Sequence, residues 1–319
     1  MLNYFDILLP SLLERTLDWI TQHIDYFSLP NHKSSDREVK ATIEHKAFGE
    51  LAIACLVMNR YPQVRQRQEF KVLIGHIVEE LEKSNFTFNM TRRFGLFEFY
   101  LSIYSCLKAC DLKTTIEVEQ LKILLQKMID EDFIDAVERT PYSQMELSYY
   151  FKLGGFKHRL SDCSSIYKYS SAFHLPSPIH LRITDAYNLT HIIFYLSDFG
   201  QQPLAPILLE RYNEIYQYII LILGLYTKKK DWDLVAELLI CCNFLQCDYF
   251  HPLIQLAGKS LGEIQNPQGF IPAKSRLSEK QESNSEEVNL EKDTFRKNYH
   301  PTLVTFLASM FYLYGGNYL

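Results

Sequence analysis

The chain has 319 residues, with 33 Lys+Arg against 38 Asp+Glu, a formal charge of −5. The acidic balance argues against a nucleic-acid partner, which calls for a basic face. Only 12 Gly and 12 Pro argue against a turn-rich β architecture, while 47% apolar residues suffice for a large core.

Apolar residues recur at helical spacing along almost the whole chain. In chain order, Leu12, Leu13, Leu17 and Ile20 form one stripe, and Val72, Ile74, Ile77, Val78 and Leu81 form the next. Leu121, Leu124, Leu125, Met128 and Ile129 repeat it. Pro30-Asn31, Pro62, Asn85, Asp111, Gly154-Gly155, Pro176, Gly200, Asp248 and Pro267 punctuate the stripes. The pattern predicts an all-α protein. Glu119 to Asp130 and Gln68 to Lys83 mix charges with a single apolar stripe, as half-exposed helices do. Phe94 to Leu107 and Leu234 to Leu245 are apolar nearly all round, as buried helices are. The greasiest runs, Leu51 to Met58 and Ile219 to Leu225, fall well short of the roughly 20 residues that span a bilayer. Lys228-Lys229-Lys230 reads as a solvated helix end.

A longer period overlies the helical one. Phe48-Gly49-Glu50-Leu51-Ala52, Leu96-Phe97-Glu98-Phe99-Tyr100, Gln144-Met145-Glu146-Leu147-Ser148, Leu189-Thr190-His191-Ile192-Ile193 and Val235-Ala236-Glu237-Leu238-Leu239 share one register. Their polar positions Glu50, Glu98, Glu146, His191 and Glu237 are 48, 48, 45 and 46 residues apart. A sixth copy, Tyr299 to Val304, follows the hydrophilic stretch Ser275 to Asp293. Periods of this length mark repeat architectures in which each unit buries its face on its neighbours. The expectation is one domain over residues 1–319, six helical hairpins closed into an (α/α)6 toroid, with an open α-superhelix as the alternative. Residues 275–293 are expected to form a mobile insertion.

In a closed ring, one polar residue per inner helix would face a common space. Glu50, Glu98, Glu146, His191, Asp233 and Glu237 are therefore the candidate catalytic residues, since clustered carboxyl groups and an imidazole can move protons near neutral pH. Phe94, Phe97, Tyr142, Tyr149, Tyr187, Phe194 and Tyr195 would supply an aromatic lining. Arg139, Tyr142, Tyr187, Tyr195, Asp198, Asp231 and His300 are the candidate substrate-binding residues, with Arg139 suited to a carboxylate or phosphate or to a structural ion pair. Simpler roles stand beside these. Ser143 and Glu146 have the spacing of a capping box, Asp231 that of a helix N-cap, and His300-Pro301 that of a helix start. Asp198 is expected near the end of a helix, where the dipole disfavours an anion.

Cys242, Cys247 and His251 are too few, and too interrupted by Pro252, to predict a zinc site. Neither a metal nor another cofactor is expected. Seven cysteines without regular spacing fit a reducing compartment, and the start Met1-Leu2-Asn3-Tyr4-Phe5-Asp6 lacks the charged region of a secretory leader. The expected setting is the cytoplasm, and no membrane partner is expected.

Asp231-Trp232-Asp233 is similar to the acidic motif with which class II terpene cyclases protonate an alkene, although Leu234 stands where that motif carries a further Asp. Gln265 to Gly269 resembles the start of the glutamine–tryptophan repeat of those cyclases, with Ile271 in place of Trp. Lys46 to Ala52, Phe194 to Gly200, Asp231 to Leu234 and Tyr299 to Leu303 resemble segments of an uncharacterised bacterial family. Its members resemble toroid proteins encoded beside natural-product biosynthesis genes. That resemblance spans most of the chain and implies specialised metabolism. The expected function is acid–base chemistry in an aromatic-lined central cavity, as a cyclase, lyase or hydrolase on a small organic or peptidyl intermediate. The alternative is a non-catalytic toroid that binds a peptide or a partner enzyme, with its acids paired to Arg92, Arg93 or Arg139.

Overall fold

A computed structural model describes residues 4–30, 42–84, 86, 89–90, 94–111, 116–274 and 290–315. Its main helices, in chain order, are α1 (Tyr4–Gln22), α2 (Ile43–Asn59), α3 (Gln68–Lys83) and α4 (Phe97–Ala109). They continue with α5 (Ile116–Asp130), α6 (Pro141–Gly154), α7 (Ile183–Leu196) and α8 (Tyr212–Lys229). The last are α9 (Trp232–Phe244), α10 (Pro252–Ile264) and α11 (Leu290–Tyr314). Short helical turns join them, and among the described residues there is no strand. The protein is all-α, as the periodicity predicts.

The helices gather into two compact units, Phe27–His174 and a second made of Met1–Tyr26 with Leu175–Leu319. In the first, α2, α4 and α6 pack in series, α3 lies against α2, and α5 against α4. In the second, α7, α9 and α11 pack in series, α8 and α10 lie against α9, and α1 lies against α10 and α11. Each unit thus alternates buried and outer helices. The recurring positions Glu50, Glu98, Glu146, His191, Glu237 and Thr302 fall on α2, α4, α6, α7, α9 and α11, the buried members of the alternation.

Sequence chemistry sets the helix ends. Pro141 opens α6 at a position that needs no N–H donor, and Gly155 closes it with a left-handed φ of 70°. The α6 cap is Thr140, whose hydroxyl accepts the Ser143 N–H at 3.3 Å, so Ser143 is capped rather than capping. Lys230, at φ 55°, and Asp231 form a two-residue turn between α8 and α9, and Lys228–Lys230 is the exposed end of α8. His300-Pro301 does not start a helix: α11 begins at Leu290 and carries Pro301 inside it. The helix continues beyond the proline with the Thr302 hydroxyl bonded to the Asn298 carbonyl at 2.6 Å. Of the stretch expected as a mobile insertion, Leu290 to Asp293 lie within α11, and Ser275 to Asn289 lie outside the described residues.

Buried aromatic side chains hold each unit together, each contributing about 2–3 kcal/mol by area removed from water. In the first unit Phe97, Tyr100 and Tyr104 of α4 and Phe151 of α6 are buried, Phe97 meets Phe151 at 6.4 Å between centroids, and the Ser105 hydroxyl crosses to the Tyr150 carbonyl at 2.7 Å. In the second, Trp19 of α1 stacks on Phe295 of α11 at 5.9 Å between centroids and meets Phe270 at 5.8 Å.

The segment before the undescribed stretch is strapped to α11. Ile271 N–H donates to the Thr302 hydroxyl at 2.9 Å and Ala273 N–H to the Asn298 side-chain oxygen at 2.8 Å. Its leading residues, Asn266 to Phe270, make a tight turn, and Arg15 donates to the Asn266 carbonyl at 2.7 Å. Gly269 sits there at φ 104°, where a Cβ would strike the Arg15 carbonyl oxygen. Gly269→Ala is expected to destabilise the protein by about 2–4 kcal/mol. Gly75→Ala, inside α3 with open space around the added methyl, is expected to stabilise by about 0.5–1 kcal/mol. Urea unfolding of both variants checks the pair.

Candidate functional site

The second unit brings six of the predicted site residues into one cluster. α7 supplies Tyr187 and His191, the α8–α9 turn supplies Asp231, α9 supplies Asp233 and Glu237, and α11 supplies His300.

Glu237 is the centre. Its side chain is 1% exposed, and a carboxylate taken from water at that depth needs donors. The Thr190 hydroxyl lies 2.6 Å from Oε2, His191 Nδ1 lies 3.8 Å from Oε2, and His300 Nε2 lies 3.4 Å from Oε1. Each oxygen therefore faces an imidazole from a different helix. His191 Nδ1 is also 2.8 Å from the Tyr187 carbonyl, which can only accept, so Nδ1 carries the hydrogen and Nε2 is the basic nitrogen of the neutral ring. The His191 side chain is 32% exposed and reaches solvent, whereas that of His300 is 16% exposed. Phe194 and Tyr195 flank the His191 ring at 5.5 and 6.4 Å, and Tyr299 lies beside His300.

A second group adjoins the first through α7 and α9. The Tyr187 hydroxyl donates to Asp233 Oδ2 at 2.5 Å, and Lys274 Nζ lies 3.3 Å from Asp231 Oδ2. Asp231 occupies the N-cap position of α9, but its side chain makes no capping hydrogen bond. It turns instead to Lys274 and to Asp233. Burial, reinforced by the hydrogen bond and the charge of Asp233, pushes the Asp231 carboxyl up to about 6 against the pull of Lys274. Burial also acts to raise Asp233, but hydrogen bonds from Asp231 and Tyr187 and the nearby His300 outweigh it and hold that carboxyl below its ordinary value. Below about pH 6 the pair therefore holds one proton, on Asp231, with Asp233 ionised. The arrangement places a carboxylic acid beside a carboxylate, within a group that also holds two imidazoles.

Thr190 and Lys274 were not among the expected residues. The signal for Thr190 was its place in the repeat register beside His191; Lys274 closes the strap along α11, whose course no local pattern reveals.

The remaining predicted residues lie elsewhere. In the first unit Glu50 Oε1 is 3.5 Å from Lys46 Nζ, and Glu98 Oε1 is 3.2 Å from Arg139 Nε. Arg139 is further fixed by the Ile134 and Val137 carbonyls at 2.6 and 3.0 Å, so its guanidinium ties a loop to α4. Glu146 and Tyr142 are half-buried on α6. A depression of about 460 Å³ beside them is lined by Pro141, Gln144, Ser161, Ser165, Lys168 and Tyr169, without a carboxyl or imidazole group. Asp198 is not in a helix: α7 ends at Leu196, and Asp198 lies in the following turn at φ 48°. Arg92 and Arg93 lie outside the described residues.

Among the described residues, no three His, Cys, Asp or Glu side chains are disposed to hold one metal ion. His251 Nδ1 accepts the Leu253 N–H at 3.2 Å and so caps α10. No helix of the described residues is long and apolar enough to cross a membrane.

The shared proton gives a pH signature. Asp231 binds its proton more tightly folded than unfolded, so its stabilising contribution is full below about pH 4 and is lost as pH rises through about 6. Asp231→Asn, which keeps a donor toward Asp233 without the charge, is expected to flatten that fall and to be more stable than the parent by about 1–2 kcal/mol at pH 7. Urea unfolding at pH steps across this window checks it.

No curated protein and no solved structure matches the chain. One family model, described as Domain of unknown function (DUF6895), matches residues 13–310. With nearly the whole chain covered, this protein belongs to the DUF6895 family.

Proposed function

We propose that the protein is an enzyme whose side chains carry acid–base chemistry, acting as a cyclase, lyase or hydrolase on a small organic or peptidyl intermediate of specialised metabolism. The observation that carries the reading is the Glu237 carboxylate, buried between His191 and His300 with one oxygen toward each. Placed between two imidazoles, the buried carboxylate can orient each ring and balance the charge when one takes a proton, as proton transfer requires. His191, the more exposed of the two, is the group placed to exchange a proton with a substrate. Asp231 is the acid of the set, Asp233 holds its proton, Tyr187 keeps Asp233 ionised, and the Lys274 ammonium favours release of the Asp231 proton. The resemblance to toroid proteins encoded beside biosynthesis genes supports the metabolic setting.

A second reading has its own support. Glu98 and Arg139, and Glu50 and Lys46, form ion pairs of the kind expected if the first unit serves binding of a peptide or partner enzyme rather than chemistry.

The test is a thermal-shift screen of small organic compounds and short peptides, with mass spectrometry of every binder for conversion. The wild-type protein is expected to convert a bound compound, and His191→Asn and Glu237→Gln to lose at least about 100-fold in rate while keeping cooperative unfolding. Binders that are never converted, with affinity lost in Arg139→Ala, would support the binding reading instead.

A further inference from the structure

The turn that ends α9 brings two cysteines together. Gln246 adopts a left-handed φ of 50°, and its N–H bonds the Asn243 carbonyl at 3.0 Å. The Cys247 N–H then returns to the Cys242 carbonyl at 2.9 Å. This pair of backbone bonds is the Schellman motif, in which the side chain two residues past the C-cap, here Leu245, folds onto the one in the helix's last turn. Such a contact is ordinarily apolar. Here both residues are cysteines, and their thiols hydrogen-bond each other.

We propose that Cys242 and Cys247 are a modification site, a dithiol that a peroxide converts to a reversible intrachain disulfide. Residues facing each other across one such turn have Cα atoms within disulfide reach. The pair is also asymmetric in access, since Cys242 is fully buried and Cys247 half-buried. Burial pushes the Cys242 thiol up, so Cys247 is the sulfur that meets the oxidant first. Its thiolate attacks one peroxide oxygen, the O–O bond breaks, and the second oxygen leaves as water after taking a proton, giving a sulfenic acid. The Cys242 sulfur then attacks that sulfur, the S–O bond breaks, and the hydroxide leaves as water with the Cys242 proton. Two thiols are oxidised and one peroxide is reduced to two waters. Other thiols are engaged differently: Cys241 donates to the Thr190 carbonyl at 3.8 Å and Cys163 to the Met145 carbonyl at 3.6 Å. Cys110 donates to the Cys55 carbonyl at 3.9 Å, deep in the first unit.

The experiment exposes the full-length protein to hydrogen peroxide, blocks remaining thiols with iodoacetamide in denaturant, and maps the products by proteolysis and mass spectrometry. The expected result is loss of two hydrogens assigned by fragmentation to Cys242 and Cys247, reversed by dithiothreitol and absent from Cys247→Ser. Should that variant fail to fold, Cys247→Ala keeps the apolar contact and serves the same purpose. The proposal is overturned if Cys247 goes to the sulfinic or sulfonic acid while Cys242 is alkylated. It is equally overturned if the two-hydrogen loss persists without Cys247, or if neither thiol reacts.

Discussion

The cost of burying the Glu237 carboxylate governs the second unit. At 1% exposure it is shielded from bulk solvent, and the three groups around it come from two other helices: Thr190 and His191 from α7, and His300 from α11. α9, which carries Glu237, sits between them in the packed series. An isolated charge at that depth would cost several kcal/mol, so the positions of α7 and α11 are tied to the chemistry of one side chain. The tautomer of His191 has a separate cause, since its Nδ1 hydrogen is directed to the Tyr187 carbonyl one turn earlier.

The acid pair follows from the turn that starts α9. With only Lys230 and Asp231 between two helices, Asp231 and Asp233 are held close. Tyr187 then decides which of them keeps the proton, because its hydroxyl at 2.5 Å favours the ionised form of Asp233. Lys274 reaches Asp231 only because the preceding strap is bonded to Thr302 and Asn298 of α11. Local turn geometry and a distant strap together set one proton.

Much of this could be read from the residues. Helical spacing of Leu12 to Ile20 or Leu121 to Ile129 gives the fold class, because a helix must present a stripe every 3.6 residues to a core. The 45–48-residue period selected the buried helices, and with them His191 and Glu237. Where the reading erred, long-range packing overrode a local pattern. Pro301 ordinarily starts a helix, yet here α11 runs through it, with Thr302 supported by Asn298 and by the strap. Thr140 outcompeted Ser143 as the α6 cap because Pro141 fixes the first helical residue one position later. The structural ion pair expected of Arg139 is the one it makes with Glu98, although the repeat register alone does not say which acid it reaches from a loop 41 residues away. A register identifies equivalent positions, whereas the partner at each position depends on neighbours that differ from hairpin to hairpin.

The most direct test of the central interaction is a double-mutant cycle between Glu237→Gln and His300→Gln, read by urea unfolding at pH 6. If the carboxylate is held by the imidazole, the two substitutions are non-additive, with a coupling energy of about 1–3 kcal/mol. Effects that add within about 0.3 kcal/mol would mean that Glu237 and His300 do not interact, and the site built around them would not stand.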